Sequence, residues 1–215
     1  MVLGLPLIFI HLLGLPNDIY YLIFMICAVA FLRLYQKKSD LNIKSSLNSG
    51  WALGSILGLF FGLGFVSYYL TISASLPEYN VNIAAIIWRG LFFGFFSGVM
   101  LSAFPFVTIW RAFAGDKPGK LRRIGVVAIS AAAVFLMSAS HTVGTIGIDR
   151  DKIEKQIKAD IIASLPTLLS GNPIASPVTK SILKVSETVF TDNEINDSNN
   201  DINTAILDKE AGGNN

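Results

Sequence analysis

The sequence predicts an all-α, polytopic membrane protein of about four transmembrane helices, with glycine-zipper packing and an external C-terminal tail, part amphipathic and part disordered. Three observations lead there. The windows 51–72, 90–110 and 124–148 contain no Lys, Arg, Asp or Glu, and each reaches the roughly 20 apolar residues that cross ~30 Å of hydrocarbon. Hydrophobic residues make up 52% of the 215-residue chain and the mean hydropathy is +0.55, too apolar for an ordinary soluble domain. Glycine recurs at 50, just before the first window, and at 54, 58 and 62 within it. In water each interior glycine costs a helix about 0.5–1 kcal/mol against alanine, so something other than water must surround this one.

Taken in order, residues 1–18 form an apolar N-terminal segment too short to span, and Pro16, Asn17 and Asp18 separate it from the first span by a turn signal. An interfacial or re-entrant placement fits it best. The competing secretory signal peptide would use Ala28, Val29 and Ala30 as its small-residue cleavage site, but the N-terminus carries no basic residue. Residues 19–148 form the four-helix transmembrane domain. Its first span, Ile19 to Tyr35, reaches spanning length if Arg33 snorkels to the interface along its apolar stem. Small residues every fourth position let helices approach closely in lipid. The packing residues are therefore Gly50, Gly54, Gly58 and Gly62 on the second span and Gly90, Gly94, Gly98 and Ser102 on the third. The simplest partner for each run is the other, across the short loop that joins them.

Charge sets the orientation. The loop after the first span holds Arg33, Lys37, Lys38 and Lys44, and the loop after the third holds Arg111, Lys117, Lys120, Arg122 and Arg123, whereas residues 73–83 hold no basic residue. The positive-inside rule puts both basic loops in the cytoplasm. The chain is expected in a cell inner (cytoplasmic) membrane with its C-terminus extracytoplasmic. In that topology Asp18 and Arg89 share the outer boundary and can form an ion pair.

The net charge of +2 hides an asymmetry: residues 1–148 carry ten Lys/Arg and four Asp/Glu (+6), and residues 149–215 carry seven and eleven (−4). Residues 149–190 read as an extracytoplasmic helical tail. A first amphipathic helix stops at Pro166, and a second starts with Ser176 as N-cap and presents Val178, Ile182, Val185 and Val189 on one stripe. That stripe must be buried on something. Residues 191–215, rich in Asn and Asp, read as disordered. Four spans, two basic loops and an external amphipathic tail make a layout similar to that of the colicin V production family, a likeness that assigns no role to any residue.

Chemistry is sparse. Cys27 is the sole cysteine, which rules out an intramolecular disulfide or a cysteine zinc site. His11 and His141 are the only histidines, and no HExxH, GxSxG or phosphate-loop motif occurs. His141, with Ser138 and Thr142, reads as a polar cluster hydrogen-bonded within the bundle. No ionisable residue lies at mid-depth in the four spans, so a carboxylate relay lacks its parts. Asp197, Asn199, Asp201 and Asp208 imitate positions 1, 3, 5 and 12 of a calcium loop, but Ile202 stands where the sharp turn needs glycine. No metal or other cofactor is therefore expected. The nine loop cations carry no nucleic-acid motif, so the expected partners are the lipid bilayer and a membrane-protein partner or a second copy of the chain. These features point to a non-enzymatic subunit, scaffold or assembly factor of a membrane complex whose tail stripe docks elsewhere. The alternative is a small channel or transporter component. A pore needs a polar lining, and among the spans only the fourth offers one.

Overall fold

The computed structural model describes residues 4–39, 50–72, 82–113, 119–147 and 149–190. Among these residues every regular element is helical. A short helix, α1, covers 4–12 and passes from an α turn at Gly4–Pro6 into a π turn at Leu7–Leu12. It is followed by α2 (Asn17–Ser39), α3 (Trp51–Ile72), α4 (Ile83–Ala112), α5 (Lys120–Ile146), α6 (Arg150–Ser170) and α7 (175–190). Four of these, α2 to α5, are long and apolar enough to cross a membrane. The chain is a multi-pass helical membrane protein. The calcium-loop residues Asp197, Asn199, Asp201 and Asp208 lie outside the described residues.

Direction alternates along the chain. Tyr21 and Phe24 of α2 meet Phe93 of α4, and Phe31 meets Phe104, so α2 and α4 run parallel. Their shared core is Tyr20, Phe24, Ala28, Phe93 and Met100. Gly50, at φ +67°, makes the left-handed entry to α3. The short α1 lies against α5, where His11 Nε2 donates to the Gly144 carbonyl at 2.9 Å.

The fourth helix is not a plain α-helix. Ile86–Phe93 and Val99–Ala103 are π turns on either side of an α segment, and Pro105, which has no N–H to return to Leu101, follows the second. Positions four apart on an α-helix of 3.6 residues per turn drift by about 40°. A π turn, with its i→i+5 bonds, drifts the other way. Alternating the two keeps Gly90, Gly94 and Gly98 on one face.

Both helices of the tail form as the sequence predicts, but their limits and position differ. Asp149 caps α6 by accepting from the Lys152 amide at 3.2 Å. That bond and the Lys152 ammonium hold its carboxyl below the ordinary carboxylate value. The helix does not stop at Pro166; it runs on to Ser170 with the proline inside and ends at Gly171 in the left-handed region, φ +72°. The turn at the tip is tied by side chains. Thr167 Oγ1 donates to the Asn172 carbonyl at 2.9 Å and accepts from the Ser176 amide at 3.0 Å. Ser176 therefore does not serve as an N-cap, and its hydroxyl donates to the Ser164 carbonyl at 3.0 Å. The hairpin α6–α7 does not stand off the bundle as an appendage. It lies among the spans, with Leu183 of α7 and Ala163 of α6 in one core with Phe65 of α3.

Candidate functional site

Helix α7 occupies the space that the two glycine runs were expected to close by meeting each other. A Cβ added at Gly58 would stand 2.5 Å from the Ala175 carbonyl oxygen and 2.7 Å from Val178 Cβ; at Gly54 it would run into Ile174 and Asn172, and at Gly62 into Ile182. On the other side, a Cβ at Gly90 would stand 2.6 Å from Val185 Cγ2, at Gly94 2.8 Å from Ser181 Cα, and at Gly98 2.5 Å from Pro177 Cα. Both glycine faces therefore receive α7, parallel to α3 and antiparallel to α4. The stripe residues Val178, Ile182 and Val185, each partly buried, pack on the chain's own glycines. Bare helix faces also expose carbonyls: Thr179 Oγ1 donates to Gly58 O at 3.1 Å, and Asn172 Nδ2 to Gly50 O at 2.7 Å. Ser102 faces α6 instead, its hydroxyl 2.7 Å from that of Ser164.

This insertion carries ionisable groups to the level of the charge-free windows, which corrects the expectation that the bundle has none at depth. Lys180, 1% exposed, holds its ammonium 3.2 Å from Asp160 Oδ1. One turn along α7, Lys184 Nζ donates to Glu187 Oε2 at 2.5 Å. Thr142 Oγ1 points toward Asp160 Oδ2 at 3.5 Å, the limit of a hydrogen bond. Leaving either charge of such a pair alone in an apolar interior costs several kcal/mol, so Asp160 and Lys180 require one another.

Beside this network is a cavity of about 190 Å³. Its rim is formed by Asn17, Ile10, Ile146 and Gln156, and its deeper wall by Phe93, Ser97, Leu101, His141, Thr142 and Asp160, with Lys184 and Tyr21 between. From Phe93 to Leu101 it extends about 12 Å along α4 at 1.5 Å per residue. The mouth lies where α2 and α4 begin and α5 ends, and at that same end Arg89 Nε and Nη2 donate to the two carboxylate oxygens of Asp18 at 2.7 and 2.8 Å. The bidentate pair ties α2 to α4 beside the opening.

The polar cluster of α5 divides in two. His141 lines the cavity, shares a 3.0 Å hydrogen bond between its Nε2 and the Tyr20 hydroxyl, and is flanked by Phe24 and Phe93. Thr142 lines it too, whereas Ser138 and Ser130 are wholly buried with no hydrogen-bond partner among the described residues and act as small packing residues. Sequence reasoning missed Asp160, Lys180, Lys184 and Glu187 as members of the bundle. One signal pointed toward them: two glycine faces and one amphipathic stripe, each needing a partner. No group of His, Cys, Asp and Glu suited to a metal ion occurs among the described residues. No family model, curated protein or solved structure matches the chain.

Proposed function

We propose that this chain is a non-enzymatic transporter component of a cytoplasmic membrane, in which the hairpin α6–α7 completes a polar solute cavity open to the extracytoplasmic side. The observation that supports it is the cavity lining: Asp160, Lys184, His141, Thr142 and Ser97 converge on one space inside an apolar bundle. Polar groups held at such depth are costly, which makes a pathway or binding role the default reading. The channel or transporter reading asked for a polar lining, and the hairpin supplies it within one chain, without oligomerisation of the glycine helices. The subunit or assembly-factor reading asked for a tail stripe free to dock elsewhere, and that stripe is occupied. Basic loops on the cytoplasmic side set the orientation, with the C-terminal end of α7 toward the outer side.

Cysteine accessibility tests this. In a Cys27→Ala background, single cysteines replace Gln156 at the rim and Ser97 at the floor, and a membrane-impermeant thiol reagent is applied to right-side-out or inverted vesicles. A transporter exposes Ser97→Cys from both sides and Gln156→Cys from the outer side. Labelling of Ser97→Cys from one side alone would reduce the cavity to a static pocket and refute transport.

A further inference from the structure

We infer that the cavity binds a small zwitterion, an amino-acid-like solute carrying an ammonium and a carboxylate a few bonds apart; this rests on the cavity being the solute site. The lining holds one charge of each sign, carried by different helices: Asp160 on α6 and Lys184 on α7. Neither is saturated by its partner within the chain. Asp160 Oδ1 faces Lys180, while Oδ2 has only the 3.5 Å contact from Thr142. Lys184 gives one N–H to Glu187, and an ammonium has three to give. The residual capacity is an acceptor on one helix and a donor on the other.

Each simpler ligand fails at one of these charges. An anion satisfies Lys184 but must sit beside the Asp160 carboxylate, and a cation meets the reverse. A neutral solute leaves both charges without their missing bond, at the cost of an unmade hydrogen bond to an ion. A zwitterion meets both. Its size is bounded as well. A cavity of about 190 Å³ with an open mouth suits a small solute rather than a large one. Its charges must also be close together. Asp160 contacts Lys180, and Lys184 is one helical turn further, where Cβ atoms four apart lie about 5–6 Å from one another. Phe93, Leu101 and Ile146 leave apolar wall for a short aliphatic side chain.

The test uses the full chain in lipid nanodiscs and equilibrium dialysis of radiolabelled L-alanine, with glycine, β-alanine, acetate and ethylamine as competitors. Saturable L-alanine binding, displaced by glycine but not by acetate or ethylamine, is the expected result. Lys184→Gln should weaken it about tenfold to a hundredfold, the range for one lost charged hydrogen bond. Leu101→Phe, which leaves both charges in place and fills the space, should abolish it while the protein still elutes as a monodisperse peak. Binding that survives Leu101→Phe, or acetate and ethylamine competing as well as glycine, would overturn the assignment. If no zwitterion binds while Ser97→Cys is still reached from both sides, the ligand class is wrong and the transport reading stands.

Discussion

Replacing Gly98 by alanine tests the seating of α7 most directly. The added Cβ would stand 2.5 Å from Pro177 Cα and 3.0 Å from its nitrogen, where ordinary contact begins at 3.4 Å. Both obstacles are backbone, so no side chain can rotate aside, and α7 must retreat from α4 by about 0.9 Å. Overpacking of this kind costs ~1–3 kcal/mol. Alanine regains about 0.5–1 kcal/mol of helix propensity, leaving a net loss of ~1–2 kcal/mol. Gly64 is the control, because it lies on α3 and a Cβ there meets nothing within 4 Å. Gly64→Ala should therefore be neutral or stabilising by up to about 1 kcal/mol. The sequence alone suggests that alanine is tolerated along the glycine runs and leucine is not; the close backbone of α7 moves the threshold down to a single methyl. Equilibrium unfolding in mixed micelles, followed by helical circular dichroism, gives both numbers. Equal stability of Gly98→Ala and Gly64→Ala would show that α7 does not lie against α4.

Three further outcomes are expected. Cysteines at Ser102 and Ser164 in a Cys27→Ala background should form an intramolecular disulfide, since the native hydroxyls are 2.7 Å apart; a shift of mobility to a dimer, or no crosslink under oxidation, would place α6 outside the bundle. Lys180→Met alone should destabilise the protein by ~3–5 kcal/mol by stranding Asp160, and adding Asp160→Asn should restore a large part; a double mutant as unstable as the sum of the singles would mean the pair is not coupled. The Asp18–Arg89 pair is half-exposed, with side chains 48% and 40% accessible, so reversing both charges should recover the ~0–1 kcal/mol that either single reversal removes, read as a coupling energy in thermal melts; a coupling of zero would separate the two residues.

The four spans were legible because each is a local property: an apolar window is long enough to cross or it is not, Arg33 near the end of the first being the one charge within them. Asp18 and Arg89 were legible for a related reason, since depth alone brings opposite charges at two helix starts within reach. The glycine runs showed a close-contact face, but a four-residue spacing specifies only the face and says nothing of what fills it. Hydropathy hid the answer. Helix α7 mixes Val178, Ile182 and Val185 with Thr179, Lys180, Ser181, Lys184 and Ser186, and averaged over its length that composition reads as a surface helix. Its hydroxyls are satisfied by carbonyls of its own helix and of its neighbours, as with Thr179 on Ala175 and Gly58 and Ser176 on Ser164, and its lysines by carboxylates that no window average can see. Pro166 misled in the same way. A proline reads as a stop from sequence, but here the helix runs past it to Ser170 and its far end is tied down by Thr167 and Ser176.

The position of α7 also orders the assembly of the molecule in time. Of the described helices, the one that separates α3 from α4 is the last to leave the ribosome, more than a hundred residues after Gly54 and Gly58. Until then the two glycine faces have no occupant, and the late arrival brings two lysines that a bilayer would reject on their own. The groove must already exist, with Asp160 delivered first on α6, for Lys180 to enter paired. Contacts so far apart along the chain are slow to form. A chain halted before residue 175 would thus hold all four spans with both glycine faces unfilled and open to lipid.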